Sequence, residues 1–322
     1  LYTTHDFYGL CPKVTFFQNQ SVCLGKESCI ECKDCCSMAL SIPKIRIMQS
    51  KTYRVLKNTA FIKKIRKKQR NQFFENKGTD HFPVTASEDI SMGVEYENLR
   101  EYYLAMFKMI DMIHFNSSIT KEVYMKFFVP ENYRVISISN QTISENKKVK
   151  LVPEKIQMGF LSVANPAKGY FILKQALEEL AQDGYHNFEL NLFDGEKRVN
   201  SYIQSHNPYP HDEMQKVMDA LQVVIIPSTG YETFSFTALE ALSCGVPVIV
   251  SELVGAKDII EQEKSGYIVE PTVEGLKFAL RIILENPKEI LGGMNQFIVQ
   301  KQTIKTMDIH AQEMLDLYSE IL

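Results

Sequence analysis

Short apolar runs alternate with helix-like stripes along the carboxyl-terminal half of the chain. Strand candidates stand at 157–163 (QMGFLSV), 188–193 (FELNLF), 223–227 (VVIIP), 247–251 (PVIVS) and 267–271 (YIVEP). An amphipathic helix is predicted between the first two runs by apolar residues at three- and four-residue steps, namely Leu173, Ala176, Leu177 and Leu180. This alternation is typical of a doubly wound parallel sheet that binds ligands at its strand tips.

The amino-terminal half gives the same two signals more weakly. Strand candidates are LYTTH at 1–5, IHFNSS at 113–118 and YRVISISN at 133–140. A stripe on a long helix predicts a core face formed by Tyr96, Leu99, Tyr103, Met106, Ile110 and Ile113. The stretch 76–93 indicates a loop before this helix, and the polar segment 141–148 indicates an interdomain linker. Two domains are therefore expected, at 1–150 and 151–322.

The segment from Pro227 to Glu252 is the most informative part of the chain. The chain leaves the VVII strand, turns through 227–230 and enters a helix that Thr233 or Ser235 can cap and Gly245 ends. Backbone amides at such a helix start suit a phosphate. Two carboxylates frame the start, Glu232 in the turn and Glu240 two helical turns later. Carboxylates repel phosphate but accept hydrogen bonds from hydroxyls, so the pattern favours a nucleotide sugar over a bare phosphate.

Composition bounds the class of protein without identifying it. The 322 residues are 45% hydrophobic and 23% charged, which is enough for two globular cores. A formal net charge of -3 gives no general attraction to nucleic acid, and no nucleic-acid partner is expected. No apolar run is long enough to span a membrane and no secretory signal opens the chain, so the expected location is the cytoplasm.

Six of the seven cysteines lie between residues 11 and 36, with Cys244 far away. In a reducing compartment such spacing favours metal over disulfides. A structural zinc held by four thiolates is the first hypothesis, an iron–sulfur cluster the second, and disulfides or buried thiols remain open. The proposed ligands are Cys11, Cys23, Cys29 and Cys32, with Cys35 and Cys36 as substitutes.

The pattern PS-x3-E-x-F-x5-E-A-x3-G-V-P-V-I, followed by S-x3-G-x2-D-I-I-x4-SGYIVEP, resembles the donor half of family 4 retaining glycosyltransferases. The likeness is strong from about Gly159 to Pro271. It implies an α/β GT-B fold, with two Rossmann-like doubly wound domains facing across a cleft and a last helix, about 307–322, that crosses back to the first domain. The implied reaction moves a sugar from a nucleotide diphosphate sugar to an acceptor hydroxyl, on a glycan or lipid-linked glycan, with retention of configuration.

The resemblance also implies roles for individual residues. Glu232 would touch the transferred sugar, and Glu240 would hold the ribose hydroxyls. Lys168 would approach the diphosphate together with the helix start at Thr233, Phe234 and Ser235. No D-x-D motif stands where a divalent metal could hold the diphosphate, so no cofactor is expected for transfer. Ser162 and Val163 replace a Gly followed by Arg or Asn, which puts one phosphate contact in doubt, and Asp258 replaces a common Glu.

At the amino terminus, HDF-x3-CP and the cysteine cluster resemble a subgroup of the same family. There His5 would reach the donor from across the cleft, as a candidate catalytic residue beside Glu232. Strands that precede this motif in the family are not present, and the chain begins with Leu1, so the first domain is expected to be incomplete.

Residues 51–70 contain nine Lys or Arg and no Asp or Glu, with apolar residues between them. This predicts a basic, weakly amphipathic helix that either faces water or lies on an anionic membrane, where a lipid-linked acceptor would be found. In the second case the protein would work at the inner face of the membrane.

Two alternatives to a glycosyltransferase stay open. The first is a non-catalytic nucleotide-sugar-binding module or partner subunit, favoured by the short first domain and Val163 and opposed by the Glu pair and Lys168. The second, weaker one makes the cysteine cluster the functional centre, as a redox or metal-sensing element.

Overall fold

The computed structural model describes residues 1–18, 21–23, 32, 35–36, 42–65, 91–196 and 201–321. The chain divides into two units, residues 1–24 with 102–322 and residues 25–101. The first unit contains both parallel sheets and every candidate donor-site residue. The second contains the basic segment and most of the cysteine cluster.

Eleven strands are present among the described residues: β1 Tyr2–Thr3, β2 Phe17–Gln18, β3 Ser21–Val22, β4 Ile113–Phe115, β5 Tyr133–Val135, β6 Ile156–Phe160, β7 Phe188–Leu192, β8 Ile203–Ser205, β9 Val223–Ile226, β10 Val248–Ser251 and β11 Gly266–Val269. The α-helices with complete bounds are α1 Ile42–Gln49, α2 Lys51–Leu56, α3 Ser91–Phe107, α4 Ser118–Met125, α5 Tyr170–Gln182, α6 Met214–Ala220, α7 Phe236–Ser243, α8 Val273–Glu285, α9 Pro287–Gln300 and α10 Met307–Ser319. Three 3-10 helices span Pro166–Lys168, His211–Glu213 and Gly255–Ile259.

A six-stranded parallel sheet organises the carboxyl-terminal half, in the order β11-β10-β9-β6-β7-β8. All residues of β9 and β10 are buried, which explains their continuous apolar sequences. From the adjacent pair β6 and β9 the chain proceeds outward in both directions, so the strand order reverses between them. Ligands of such sheets bind at this switch point, beside the loops that follow β6 and β9. The predicted α/β class with a doubly wound sheet is confirmed.

The amino-terminal half contributes a three-stranded parallel sheet in the order β1-β4-β5. Its core is aromatic, with Phe7, Phe107, Phe115 and Tyr124 all nearly inaccessible to solvent. The carboxyl-terminal end of the chain returns to this sheet, because Arg134 of β5 pairs with Glu320 at 2.5 Å. The Lys305 ammonium donates to the Ser137 carbonyl at 3.2 Å just before α10.

Two local predictions need correction. The predicted stripe on α3 extends too far, because the helix ends at Phe107, Ile110 lies after the turn at 108–109 and Ile113 belongs to β4. A short apolar run fits helix or strand equally well, and here backbone pairing of β4 with β1 and β5 selects the strand. The edge strand β8 was not predicted, since its three residues show no apolar run.

The basic segment is also less regular than one continuous helix. Helix α2 ends at Leu56, a turn follows, and helical backbone resumes at 60–65. Residues 66–70, and residues 76–90 of the loop predicted at 76–93, lie outside the described residues. Residues 91–93 already belong to α3, so the end of that loop prediction is wrong. Within the described part of the chain, no helix combines the length and apolar character needed to cross a bilayer.

Gly169 lets the loops after β6 and β9 approach each other at the switch point. It adopts a left-handed conformation with φ of 73°, and a Cβ atom there would lie 1.9 Å from the Pro227 carbonyl oxygen. The two loops are joined further by the amides of Thr229 and Gly230, which donate to the Ala167 carbonyl at 3.0 and 3.1 Å. A side chain at position 169 is therefore excluded both by conformation and by space.

We expect Gly169→Ala to lower the free energy of unfolding by roughly 1–3 kcal/mol, because the loops must separate to accommodate the methyl group. The matched control is Gly292→Ala in α9, where an added Cβ meets no atom within 4 Å and helix propensity favours alanine. Urea unfolding followed by circular dichroism measures both. Equal midpoints for Gly169→Ala and the wild type would contradict the proposed close approach.

Candidate functional site

Glu232 is held at the switch point by charged and polar groups from both loops. Its Oε1 atom lies 2.9 Å from the Lys168 ammonium and accepts a short hydrogen bond from the Ser228 hydroxyl. These three residues, together with Ser162 and Ser235, line a cavity of about 40 Å³ at the carboxyl ends of β6 and β9. The sequence-predicted Glu232 and Lys168 are thus brought together, and Ser228 is an addition that sequence reasoning missed.

The backbone of Glu232 is fixed as firmly as its side chain. Its amide donates to the Leu253 carbonyl at 3.0 Å, and its carbonyl accepts from the Gly255 amide at 2.8 Å. This pairing with the segment after β10 extends the sheet locally beyond its last regular residues. The direction of the Glu232 side chain is therefore set by the sheet rather than by a free loop.

Helix α7 begins directly after this turn. Ser235 occupies the cap position, but its side chain makes no capping hydrogen bond among the described residues, so the predicted side-chain cap is wrong. The Thr233 hydroxyl donates instead to the His5 carbonyl at 2.9 Å. Phe234 is buried in the apolar core, so that only its backbone amide is suited to a phosphate. The contribution of Thr233, Phe234 and Ser235 to donor binding stays a prediction and rests on their main-chain amides.

Glu240 lies in a different electrostatic environment from Glu232. Its carboxylate approaches the His211 ring at 4.0 Å, and burial raises its pKa although His211 opposes that rise. Burial, assisted by the charge of Glu240, also raises the pKa of Tyr209 to about 12. Tyr209 and His211 thus both lie near Glu240, and the sequence analysis did not predict them. The only available signal was the segment PYPH, which follows the unpredicted strand β8.

His5 lies at the tip of β1, beside the turn that carries Glu232. Its carbonyl accepts the Thr233 hydrogen bond, while its side chain is exposed. Burial lowers the pKa of both His114 and His310, and the charge of His5 contributes to the lowering in each case. His5 therefore stands close to the donor turn and to two buried imidazoles.

Val163 does not supply the positive or amide group that the family pattern has at its position. The side chain is apolar and the residue is 49% exposed at the end of β6. Ser162 beside it does line the cavity. Between β6 and α5, the polar side chains that line the cavity are those of Ser162 and Lys168.

The proposed metal ligands are only partly within the described residues. Cys11 is buried in the aromatic core of the first unit, Cys23 is half-buried, and Cys29 lies outside the described residues. Cys32 and Cys36 have helical backbone in the second unit. Burial raises the pKa of Tyr96, and Cys36 and Cys32 add to that rise, so both thiols lie near Tyr96. Across the described part of the chain, no three His, Cys, Asp or Glu side chains converge at a metal-binding distance.

Part of the chain matches a family of known proteins, and shorter stretches match individual relatives. Residues 142–292 match the family model of glycosyl transferases group 1. An uncharacterized glycosyltransferase of Methanocaldococcus jannaschii is 43% identical over 60 residues, which are 19% of this chain and 15% of that protein. The matches to the curated relatives span 15% to 19% of those relatives' lengths.

Solved structures share the architecture at low sequence identity. A glycosyltransferase from Rickettsia africae superposes with a TM-score of 0.57 at 13% identity, over 85% of this chain and 88% of its own. Anabaena HepE, solved in complex with UDP and glucose, gives 0.54 at 17% identity, over 69% and 67% of the two chains. The architecture is thus that of GT-B proteins, and residues 142–292 within it match glycosyl transferases group 1.

Proposed function

We propose that the protein transfers a sugar from a nucleoside diphosphate sugar to an acceptor hydroxyl with retention of configuration. The observation that carries the proposal is the Glu232 carboxylate, fixed by Lys168 and Ser228 at the switch point of a parallel sheet. Eight residues later, Glu240 presents a second, separately placed carboxylate on α7. The match of residues 142–292 to glycosyl transferases group 1 supports the same activity.

Lys168 and the start of α7 are suited to the diphosphate. An ammonium group has three N–H donors, of which Glu232 takes one, so others can reach phosphate oxygens. The main-chain amides that begin α7 add the positive end of the helix dipole. Because the leaving diphosphate gains negative charge as the sugar–oxygen bond breaks, these groups stabilise the transition state more than the ground state.

The two glutamates serve the sugar and the ribose, respectively. Glu232 lies beside the diphosphate groups, where the anomeric carbon becomes cation-like and a fixed carboxylate gains value. Glu240 lies in the middle of α7 and accepts hydrogen bonds from ribose hydroxyls. The charge of these hydroxyls changes little during the reaction. His5, at the tip of β1, faces the same turn from the other sheet and is proposed to contact the donor sugar.

Glu232→Gln should lower kcat by roughly a hundredfold while leaving the affinity for the bare nucleoside diphosphate near normal. Glu240→Gln should instead weaken nucleotide and donor alike, since it removes an interaction that is equal in ground and transition states. The measurements are transfer across a panel of nucleotide sugars and calorimetric affinity for the corresponding nucleoside diphosphates. Glu178→Gln, at an exposed ion pair on α5, is the matched control.

Loss of nucleotide binding in Glu232→Gln as severe as in Glu240→Gln, or full turnover in Glu232→Gln, would contradict these roles. A wild type that binds a nucleoside diphosphate but transfers no sugar to any acceptor would favour the alternative, a nucleotide-sugar-binding module. If neither variant changed kcat or the affinity for nucleotide, the donor would have to bind elsewhere on the protein.

The basic segment is proposed to bring the protein to an anionic membrane that carries a lipid-linked acceptor. Residues 42–65 contain seven Lys or Arg and no Asp or Glu. Val55 and Phe61 are 78% and 72% exposed between these charges. Apolar side chains that are exposed within a cationic surface suit the headgroup region of an anionic bilayer.

Replacing Arg54, Lys57 and Lys63 by Gln should reduce binding to vesicles containing anionic phosphatidylserine at least tenfold, since each charge contributes about 1 kcal/mol near such a surface. The control replaces the exposed Lys155, Lys174 and Lys264 by Gln, which removes the same charge elsewhere. Co-sedimentation measures both. Equal sedimentation of the two variants would refute a membrane role for this segment.

The cysteine segment 11–36 is proposed to hold one structural metal ion, with zinc preferred over iron. Cys32 and Cys36 both lie near Tyr96 in the second unit, and a metal site of this kind needs thiols close together. We expect about one zinc or iron per chain, lost together with thermal stability in Cys29→Ser or Cys32→Ser. Elemental analysis and thermal unfolding test this, with Cys244→Ser as a control outside the segment. A wild type that contains no metal, with Cys variants of the same thermal stability, would refute this proposal.

A further inference from the structure

Asp258 connects the two halves of the first unit through a helix terminus. It lies in the 3-10 helix Gly255–Ile259, and its carboxylate reaches the start of α4. One oxygen accepts from the Ser118 amide at 2.6 Å and the other from the Ser118 hydroxyl at 2.5 Å. A carboxylate is favourable there, because it satisfies an amide that has no partner within the helix and interacts with the positive end of the helix dipole.

The helix is capped locally without Asp258. Ser117 occupies the cap position, and its hydroxyl accepts from the Thr120 amide at 3.1 Å. Asp258 is thus a second anionic group, supplied from 140 residues further along the chain. Its contribution is the connection between α4 and the segment after β10.

That same segment fixes Glu232. The Leu253 carbonyl and the Gly255 amide bind the two main-chain groups of Glu232, three to five residues before Asp258. The short segment 253–258 therefore binds the main chain of Glu232 at one end and α4 at the other.

Gly255 is the point where the three elements meet. A Cβ atom there would lie 2.2 Å from the Thr233 carbonyl oxygen and 2.5 Å from the Ser117 hydroxyl oxygen. The backbone can pass this close to both neighbours only because it carries no side chain. A small displacement of α4 is consequently transmitted to Thr233 and to the turn that carries Glu232.

The other contacts at this junction are weaker. Lys257 and Glu122 approach only to 3.8 Å, with the Glu122 side chain 54% exposed, so their attraction is screened by water. The Thr120 hydroxyl lies 3.3 Å from the Thr233 carbonyl, but its single proton has a shorter partner in Asn116 at 2.6 Å. The two charge-assisted bonds of Asp258, although the residue is itself exposed, are shorter than either of these contacts.

We propose that Asp258 is a positioning residue for sugar transfer: by holding α4 against the segment 253–258, it keeps the Glu232 turn in its reactive geometry. The inference rests on the proposed function of Glu232. Among the described residues, Asp258 forms its hydrogen bonds with Ser118, and Asp258 is not among the residues that line the donor cavity. The effect should consequently appear in the rate of transfer and not in the affinity for the nucleotide.

In Asp258→Asn, kcat should fall about tenfold, because hydrogen bonds to a charged group are replaced by weaker neutral ones. Affinity for whichever of UDP, GDP and ADP binds the wild type should stay within twofold. Asp258→Glu keeps the charge and should recover most of the lost rate. The control is Glu261→Gln, an exposed carboxylate nearby whose described ion pair is with Lys264.

Hydrogen–deuterium exchange tests the same idea without relying on activity. Amides in peptides covering 117–125 and 228–236 should exchange faster in Asp258→Asn than in the wild type or Glu261→Gln, while peptides from β7 stay unchanged. A variant that is merely less stable would instead show faster exchange throughout the sheet and an unchanged kcat per folded molecule.

The two proposals fail in different ways. Unchanged kcat and unchanged exchange in Asp258→Asn, beside an active wild type, would overturn the positioning role alone. A wild type that transfers no sugar from any donor would overturn the proposed function, and the exchange data would still report whether Asp258 orders the Glu232 turn.

Discussion

The close approach of the loops after β6 and β9 is the constraint on which the candidate site depends. Parallel strands place these loops side by side, but contact between them requires a residue without a side chain opposite the Pro227 carbonyl, and Gly169 meets that requirement. The Thr229 and Gly230 amides can then bind the Ala167 carbonyl. As a consequence, Lys168 lies within ion-pair distance of Glu232. One steric condition thus brings together a cation from one loop and a carboxylate from the other.

The two glutamates of the E-x7-E pattern have different chemical surroundings. One oxygen of Glu232 contacts both the Lys168 ammonium and the Ser228 hydroxyl. Glu240 is largely buried beside a histidine at 4.0 Å, and burial raises its pKa. A carboxylate beside a cation that could bind a diphosphate is placed for the reacting end of the donor, whereas a partly desolvated one is suited to neutral hydroxyls. The division of roles proposed for the pair follows from this difference.

Sequence reasoning succeeded where one interaction dominates and failed where several compete. The β9 and β10 strands could be predicted, because residues buried on both faces of a parallel sheet must be apolar. Strand β8 could not, since it lies at the edge and only Ile203 is buried. Helix α3 was extended into β4, because periodicity cannot tell a helical Ile113 from one that pairs with Tyr2. Glu232 and Glu240 were found from their spacing, but the hydroxyl of Ser228 needed three-dimensional proximity.

The amino-terminal half affects the site mainly by supporting its backbone. Its contacts with the donor turn include the His5 carbonyl on Thr233, the Phe7 ring near Tyr231 and the Phe17 side chain against Gly230. None of these touches the carboxylate of Glu232, yet each one restricts the residues beside it. An aromatic core packed against the turn resists bending, because tightly packed rings cannot shift without opening gaps. The loops after β6 and β9 are therefore stiffened from the sheet that does not carry them, which suits the transition-state stabilisation proposed for Glu232.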